Sequence, residues 1–255
     1  MTKTAIVTGA SRGIGRGIAL KLAADGYDVA LVARSEETLR DVAKEIGGQG
    51  RRAVPLAIDL READAGDRAV GGAVEALGGL DLLVNNAGAT KRGDFFSLTE
   101  EDFLDGFALK FHGAVRMTRA AWPHLKAAGG AMISVIGVGA RNPSPDFTIG
   151  GSVNSACANF TRAIAQIGTQ DGVRVNAVHP GLVRTDRLMV WVRQAMEKDG
   201  LSEEAVLQGM ARDSQTTRIG EVEDIANLVS WLASPAAGFV HGAIVDIDGG
   251  RTRGM

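Results

Sequence analysis

Short, continuously apolar runs alternate along this chain with longer stretches in which apolar residues recur every three or four positions. The strand-like runs fall at about 3–9, 28–33, 52–58, 81–85, 131–136, 173–179 and 242–247. Between two of them, Glu36 to Ile46 keeps Leu39, Val42, Ala43 and Ile46 on one face with charges opposite. Residues 61–78 repeat Ala and Val at the same helical spacing, so both stretches read as crossover helices. Strands that alternate with helices imply a parallel sheet. Runs such as Val29-Ala30-Leu31-Val32-Ala33 and Leu80 to Val84 have no polar face, as a strand covered by helices on both sides requires. The pattern predicts a doubly wound α/β fold. Its one break is at 186–217, between a strand ending at His179 and a helix starting near Glu221, and that insertion is the expected substrate lid.

Composition changes this picture only by exclusion. The 255 residues, 45% apolar, suffice for one large α/β domain spanning 1–255. A net charge of −2 with both signs interspersed excludes a nucleic-acid surface or a polybasic membrane patch, which leaves a small molecule as the expected partner. No apolar run approaches a membrane span and the start does not resemble a signal peptide, so a cytoplasmic protein is expected. The single Cys157 lies at helical spacing with Val153 and Phe160 and reads as a core thiol. No His, Cys and carboxylate grouping has metal-ligand spacing, so no metal is expected.

Candidate chemistry begins at the first strand. Ala5-Ile6-Val7 runs into Thr8-Gly9-Ala10-Ser11-Arg12-Gly13-Ile14-Gly15 and then into a helix beginning Arg16-Gly17-Ile18. Gly9, Gly13 and Gly15 let the backbone turn tightly and approach a ligand, while free amides and the helix dipole suit a pyrophosphate. A dinucleotide is the natural ligand. In an open parallel sheet ligands sit beyond the carboxyl ends of the strands, so the residues that follow each strand carry the reading. Arg34 ends the second strand, where an acid would accept from a ribose 2′-hydroxyl and a guanidinium instead pairs with a 2′-phosphate. With Arg12 in the turn it favours NADP over NAD; the alternative is a surface Arg at a helix start. Asp59 either accepts from an adenine amino group or caps the next helix. Asn85-Asn86-Ala87-Gly88 closes the fourth strand with small, turn-prone residues.

These motifs, followed in order by Pro180-Gly181-Leu182-Val183-Arg184-Thr185, Arg218 to Ala226 and Val245 to Gly250, resemble the short-chain dehydrogenase/reductase family from end to end. The resemblance implies a seven-stranded Rossmann sheet of order 3-2-1-4-5-6-7 and a nicotinamide cofactor, NADP with NAD possible. It also implies a homotetramer or homodimer built on the long fourth and fifth helices and the last helix and strand. By position, Gly9, Ser11, Arg12, Ile14, Asp59, Leu60, Asn86, Ala87 and Gly88 would hold the adenosine and diphosphate, and Pro180, Gly181, Val183 and Thr185 would meet the nicotinamide.

The catalytic positions depart from that family. Standard members use a Ser after the fifth strand, a Tyr-x-x-x-Lys on the next helix and an Asn on the fourth. Alignment puts Gly137, Gly150, Asn154 and Lys110 in those places, and the only tyrosine, Tyr27, precedes the second strand. Hydride transfer to a carbonyl leaves an alkoxide that must be neutralised, and one lost donor costs about 10²-fold or more in rate. Lys and Asn have in effect exchanged places. One expectation is that Lys110, its pKa lowered by burial, supplies charge or a proton while Asn154 hydrogen-bonds the ribose or the substrate. The other is a Lys snorkelling from an interface helix. Three classes therefore stand open: an NADP(H)-dependent oxidoreductase with a non-standard proton relay, an inactive nucleotide-binding sensor or partner subunit, and a non-redox lyase or isomerase on the same scaffold.

Overall fold

In the computed structural model, which describes residues 2–253, the seven apolar runs become β1 (Thr4–Thr8), β2 (Asp28–Ala33), β3 (Ala53–Ala57), β4 (Leu82–Asn85), β5 (Ala131–Val135), β6 (Arg174–Pro180) and β7 (Ile244–Ile247). All pair in parallel in the order β3-β2-β1-β4-β5-β6-β7. The intervening helices are α1 (Gly13–Ala24), α2 (Glu36–Gly48), α3 (Ala65–Leu77), α4 (Glu100–Phe107), α5 (Gly113–Ala128), α6 (Thr148–Asp171), α7 (Asp186–Asp199), α8 (Glu203–Asp213) and α9 (Val222–Ala233).

Successive strand residues feed opposite faces, and this period of two builds two cores. Val7, Leu31 and Ile133 meet Ile18, Leu22, Leu39, Val42, Ile225 and Val229 of α1, α2 and α9. Their neighbours Ile6, Val32 and Met132 turn the other way, onto Ala69 and Val70 of α3 and Met117 and Leu125 of α5. The chain leaves β1 towards β3 and returns beside it as β4, so the crevice where ligands bind opens between the ends of β1 and β4.

One local reading changes. The helix expected from 61 starts at Ala65, because Asp59 accepts from the Arg61 amide at 3.0 Å and holds 59–62 as a turn. The segment 186–217 forms α7 and α8, which bury Leu188, Val192, Val206 and Ala211 against Ile219 as a small core of their own. No helix among the described residues is long and apolar enough to cross a membrane.

Arg174, at the start of β6, ties the sheet to the end of α9. Its guanidinium donates to the carbonyls of Leu232 at 2.6 Å and Ala233 at 3.0 Å, which the helix leaves without partners. Arg174→Met should therefore cost about 2 kcal/mol, or roughly 4–8 °C in Tm, measured by circular dichroism on heating.

Candidate active site

The glycine turn is held from beneath by Thr8 and Asn86. Thr8 Oγ1 accepts from the amides of Asn86 at 2.9 Å and Ala87 at 3.0 Å and donates to the Val84 carbonyl at 3.2 Å, so the ends of β1 and β4 are laced together. The Asn86 amide nitrogen donates to the carbonyls of Thr8 at 2.9 Å and Gly9 at 3.4 Å. Asn86 thus shapes the turn, and its side-chain nitrogen is spent there. Gly9 and Gly13 have φ of +67° and +55°, and a Cβ on Gly9 would come within 2.9 Å of the Asn86 amide. A Cβ on Gly15 would overlap the Gly9 carbonyl. The start of α1 has no side-chain cap and no acid in its first turn, unlike α2, α4, α8 and α9. Its orphan amides suit the negative charge of a diphosphate.

The opposite wall comes from the segment after β6. Gly181 passes so near the end of β7 that a Cβ would lie 2.8 Å from the Asp248 backbone. Arg184 N donates to the Gly220 carbonyl and Gly220 N to the Leu182 carbonyl, at 2.8 and 2.9 Å. That pairing leaves the N–H and C=O of Val183 without backbone partners among the described residues. Thr185 is the residue before α7, yet its hydroxyl makes no cap, and its methyl would sit 3.5 Å from a Cβ on Gly13. A groove of about 800 Å³ beside the turn is lined by Ser11, Arg12, Gly13, Arg184, Thr185 and Asp186. Arg12 and Arg34 are both exposed at this end of the sheet. Asp59 is half-exposed and engaged by Arg61, and the Leu60 carbonyl accepts from Arg116 at 3.1 Å.

At the far end of the crevice, Lys110 and Asn154 meet. The link from α4 to α5 is one π-helical turn, Ala108–His112, and Lys110 is at its middle. Its Nζ donates to Asn154 Oδ1 at 2.6 Å and to the Ile136 carbonyl at 2.5 Å. Asn154 is buried on α6. Lys110 keeps partial surface exposure, yet its ammonium is walled in by protein, and its pKa is lowered to about 8 by that desolvation, with a smaller push from Arg187. The Lys110 chain crosses Gly88 so closely that a Cβ there would meet its Cδ at 2.8 Å, which explains the glycine.

Around this pair several expected hydroxyls are missing. A Cβ on Gly137 would point at the Asn154 amide nitrogen, 3.2 Å away, and the φ of Gly137, +123°, suits only glycine. A Cβ on Gly150 would collide with the Phe147 ring, which fills the space beside α6. Arg92 lies over that ring, 4.1 Å from its centroid. In the loop before α6 and at the end of β6, Arg141 pairs with Asp246 at 3.0 Å and Asp146 with Arg92 at 2.5 Å, while buried His179 holds Asp246 at 3.1 Å. Phe147 and Arg92 were not singled out by sequence reasoning. The available signal was a Phe three residues before a helical Gly.

Comparison with known proteins agrees with this architecture. A family model described as enoyl-(acyl carrier protein) reductase matches residues 9–252. The chain belongs to the short-chain dehydrogenase/reductase family. It is 34% identical to an uncharacterized oxidoreductase of Mycobacterium tuberculosis over 98% of this chain and 92% of that one. The L-sorbose reductase of Gluconobacter frateurii, solved with NADPH and L-sorbose, superposes with a TM-score of 0.95 at 29% identity, covering 100% of this chain and 98% of that one. An NADPH-bound short-chain oxidoreductase of Pseudomonas aeruginosa, described as containing an atypical catalytic center, superposes at 0.90 with 28% identity, covering 99% and 98%. Membership in this family makes the chain an oxidoreductase by descent, on a scaffold whose solved relatives hold nicotinamide cofactors.

Burial of the Lys110 charge has a consequence for stability. With a folded pKa near 8 against an ordinary 10.5, the unfolded chain binds the extra proton between those values, so this residue's penalty is full below pH 8 and fades as pH rises towards 10.5. The stability of Lys110→Met relative to the unmutated protein should therefore be greatest at pH 7 and should decline by pH 10, as read by urea unfolding; a pH-independent difference would contradict the burial.

Proposed function

We propose that this protein is an NADP(H)-dependent reductase of small carbonyl compounds in which Lys110 takes the role of proton donor. The observation that supports it is the donor count at Lys110. An ammonium has three N–H groups; two are spent on Asn154 and Ile136, and the third, without a partner among the described residues, would serve a substrate oxygen.

The cradle fits the cofactor. The amides of Ser11 to Ile14 and the start of α1 would hold the diphosphate, and Arg12 and Arg34 the 2′-phosphate that distinguishes NADPH. Val183 N–H and C=O and the Thr185 hydroxyl would orient the carboxamide. When bound, NADPH supplies the hydride. The chain's own residues then handle the charge that results: Lys110 delivers a proton to the carbonyl oxygen and becomes a neutral amine, which its desolvated site tolerates, while Asn154 fixes the direction of the ammonium. Solvent restores the proton.

The helices α7 and α8 serve as a lid, with Met189, Met196 and Met210 partly buried along their small core. The exposed rings of Phe96 and Phe239 support a homo-oligomer that covers them. Of the other two classes, the glycines at 137 and 150 favour the sensor reading, since neither carries a donor.

Titration with NADPH and NADH followed by a carbonyl screen separates these readings. NADPH should bind more tightly than NADH, and Arg34→Ala should weaken NADPH about tenfold while leaving NADH unchanged. Turnover should fall as pH rises through about 8, and Lys110→Met should lower kcat at least about 100-fold. Tight NADPH binding with no turnover on any carbonyl would favour the sensor.

A further inference from the structure

We infer that Arg92 is the residue that selects the substrate, by receiving a carboxylate on the compound whose carbonyl faces Lys110. The inference rests on the reductase reading above and deepens it.

Arg92 lies in the loop between β4 and α4, and three contacts fix its guanidinium. Nη1 donates to Asp146 at 2.5 Å, one face lies on the Phe147 ring, and Trp191 of α7 is 5.6 Å from it on the lid side. The loop is stapled in place as well, since the Gly93 amide donates to the Asp146 carbonyl at 3.1 Å. Asp146 is itself held by the Ser144 hydroxyl, and both partners keep its carboxyl below the ordinary range. Its charge therefore orients the arginine.

What remains on Arg92 is an unused edge. Nε and Nη2 make no hydrogen bond among the described residues, and the side chain is 39% exposed. A guanidinium that lies over the Phe147 ring with Nε and Nη2 unspent matches the planar fork that binds carboxylates through two parallel hydrogen bonds. Its position is that of a specificity group. Phe147 beneath it fills the space beside Gly150, one helical turn before Asn154, and Asn154 holds Lys110. A short oxo acid whose ketone oxygen takes the third N–H of Lys110 would lie along Phe147 with its carboxylate reaching Arg92.

The charges nearby favour an anion. Lys91 is paired with Asp102, Arg92 with Asp146 and Arg141 with Asp246, whereas Lys110 has no acidic partner among the described residues, and Arg187 is close enough to lower the pKa of Lys110. The surplus is positive.

The test uses the full-length protein with two matched pairs of probes, phenylglyoxylate with its methyl ester and 4-oxopentanoate with its methyl ester. NADPH binding is first measured by fluorescence. Each probe is then titrated calorimetrically into protein saturated with NADP⁺. At least one acid should bind ten-fold or more tightly than its ester; Arg92→Met should abolish that preference and Arg92→Lys should restore it only in part, with NADPH affinity and Tm unchanged in both. Equal binding of acid and ester, binding of neither, or a preference that survives Arg92→Met would overturn the inference while leaving the reductase reading intact. A variant that merely loses Tm without losing the preference would reduce Arg92 to a latch between loop and lid. Absence of NADPH binding by the unmutated protein would instead overturn the reductase reading, and this inference with it.

Discussion

At the ends of β1 and β4 the hydroxyl of Thr8 accepts two amides from the β4 side and donates back to Val84, beside the strand pairing itself. Everything at the ligand end of the sheet is referred to that junction. With β1 and β4 locked in register, Asn86 can hold the carbonyls of the glycine turn, and the turn can aim the first amides of α1 into the crevice. A parallel sheet has no hairpins to fix its strand ends, so side chains at the switch point must do so. A hydroxyl with one donor and two acceptor sites is the smallest group able to do it.

The second constraint is electrostatic. An ammonium placed under the crevice floor loses hydration, and two carbonyl-type oxygens replace only part of it, so its proton is held less tightly than in water. The π-helical turn brings Lys110 to Asn154 while its neighbour Phe111 packs on Phe107 and Phe160 and His112 stays exposed. A group that surrenders its proton near neutrality is what the proposed relay needs in place of a phenol with a lowered pKa. The glycines at 137 and 150 then become intelligible, because Asn154 and Phe147 occupy the space that larger residues there would need.

Phe147 also joins the Lys110 end of the crevice to α7. Its ring supports Arg92, Arg92 reaches towards Trp191 of α7, and α7 begins at Thr185, next to the glycine turn. The segment after β6, α7 and the Arg92 loop are thus consecutive parts of one packed surface.

The sheet, its order and the phosphate turn were readable from the chain alone, because burial on both faces writes a continuous apolar run and a tight turn demands glycine at set positions. Lys110 and Asn154 could be paired from sequence only through the family alignment, since 44 residues separate them and nothing local links a π turn to a distant helix. The early start expected for α3 failed because Asp59 competes for the backbone through its own side chain. Phe147 and Arg92 stayed hidden for a stronger reason: 55 positions apart, they are ordinary loop residues until the fold brings the open face of the one beneath the charge of the other. Sequence by itself determined which segments are buried and where the backbone must bend, as both follow from the solvation and sterics of single residues. Only the tertiary structure decided which charges lose their water and which donors remain unspent, because those depend on what every other segment places around them.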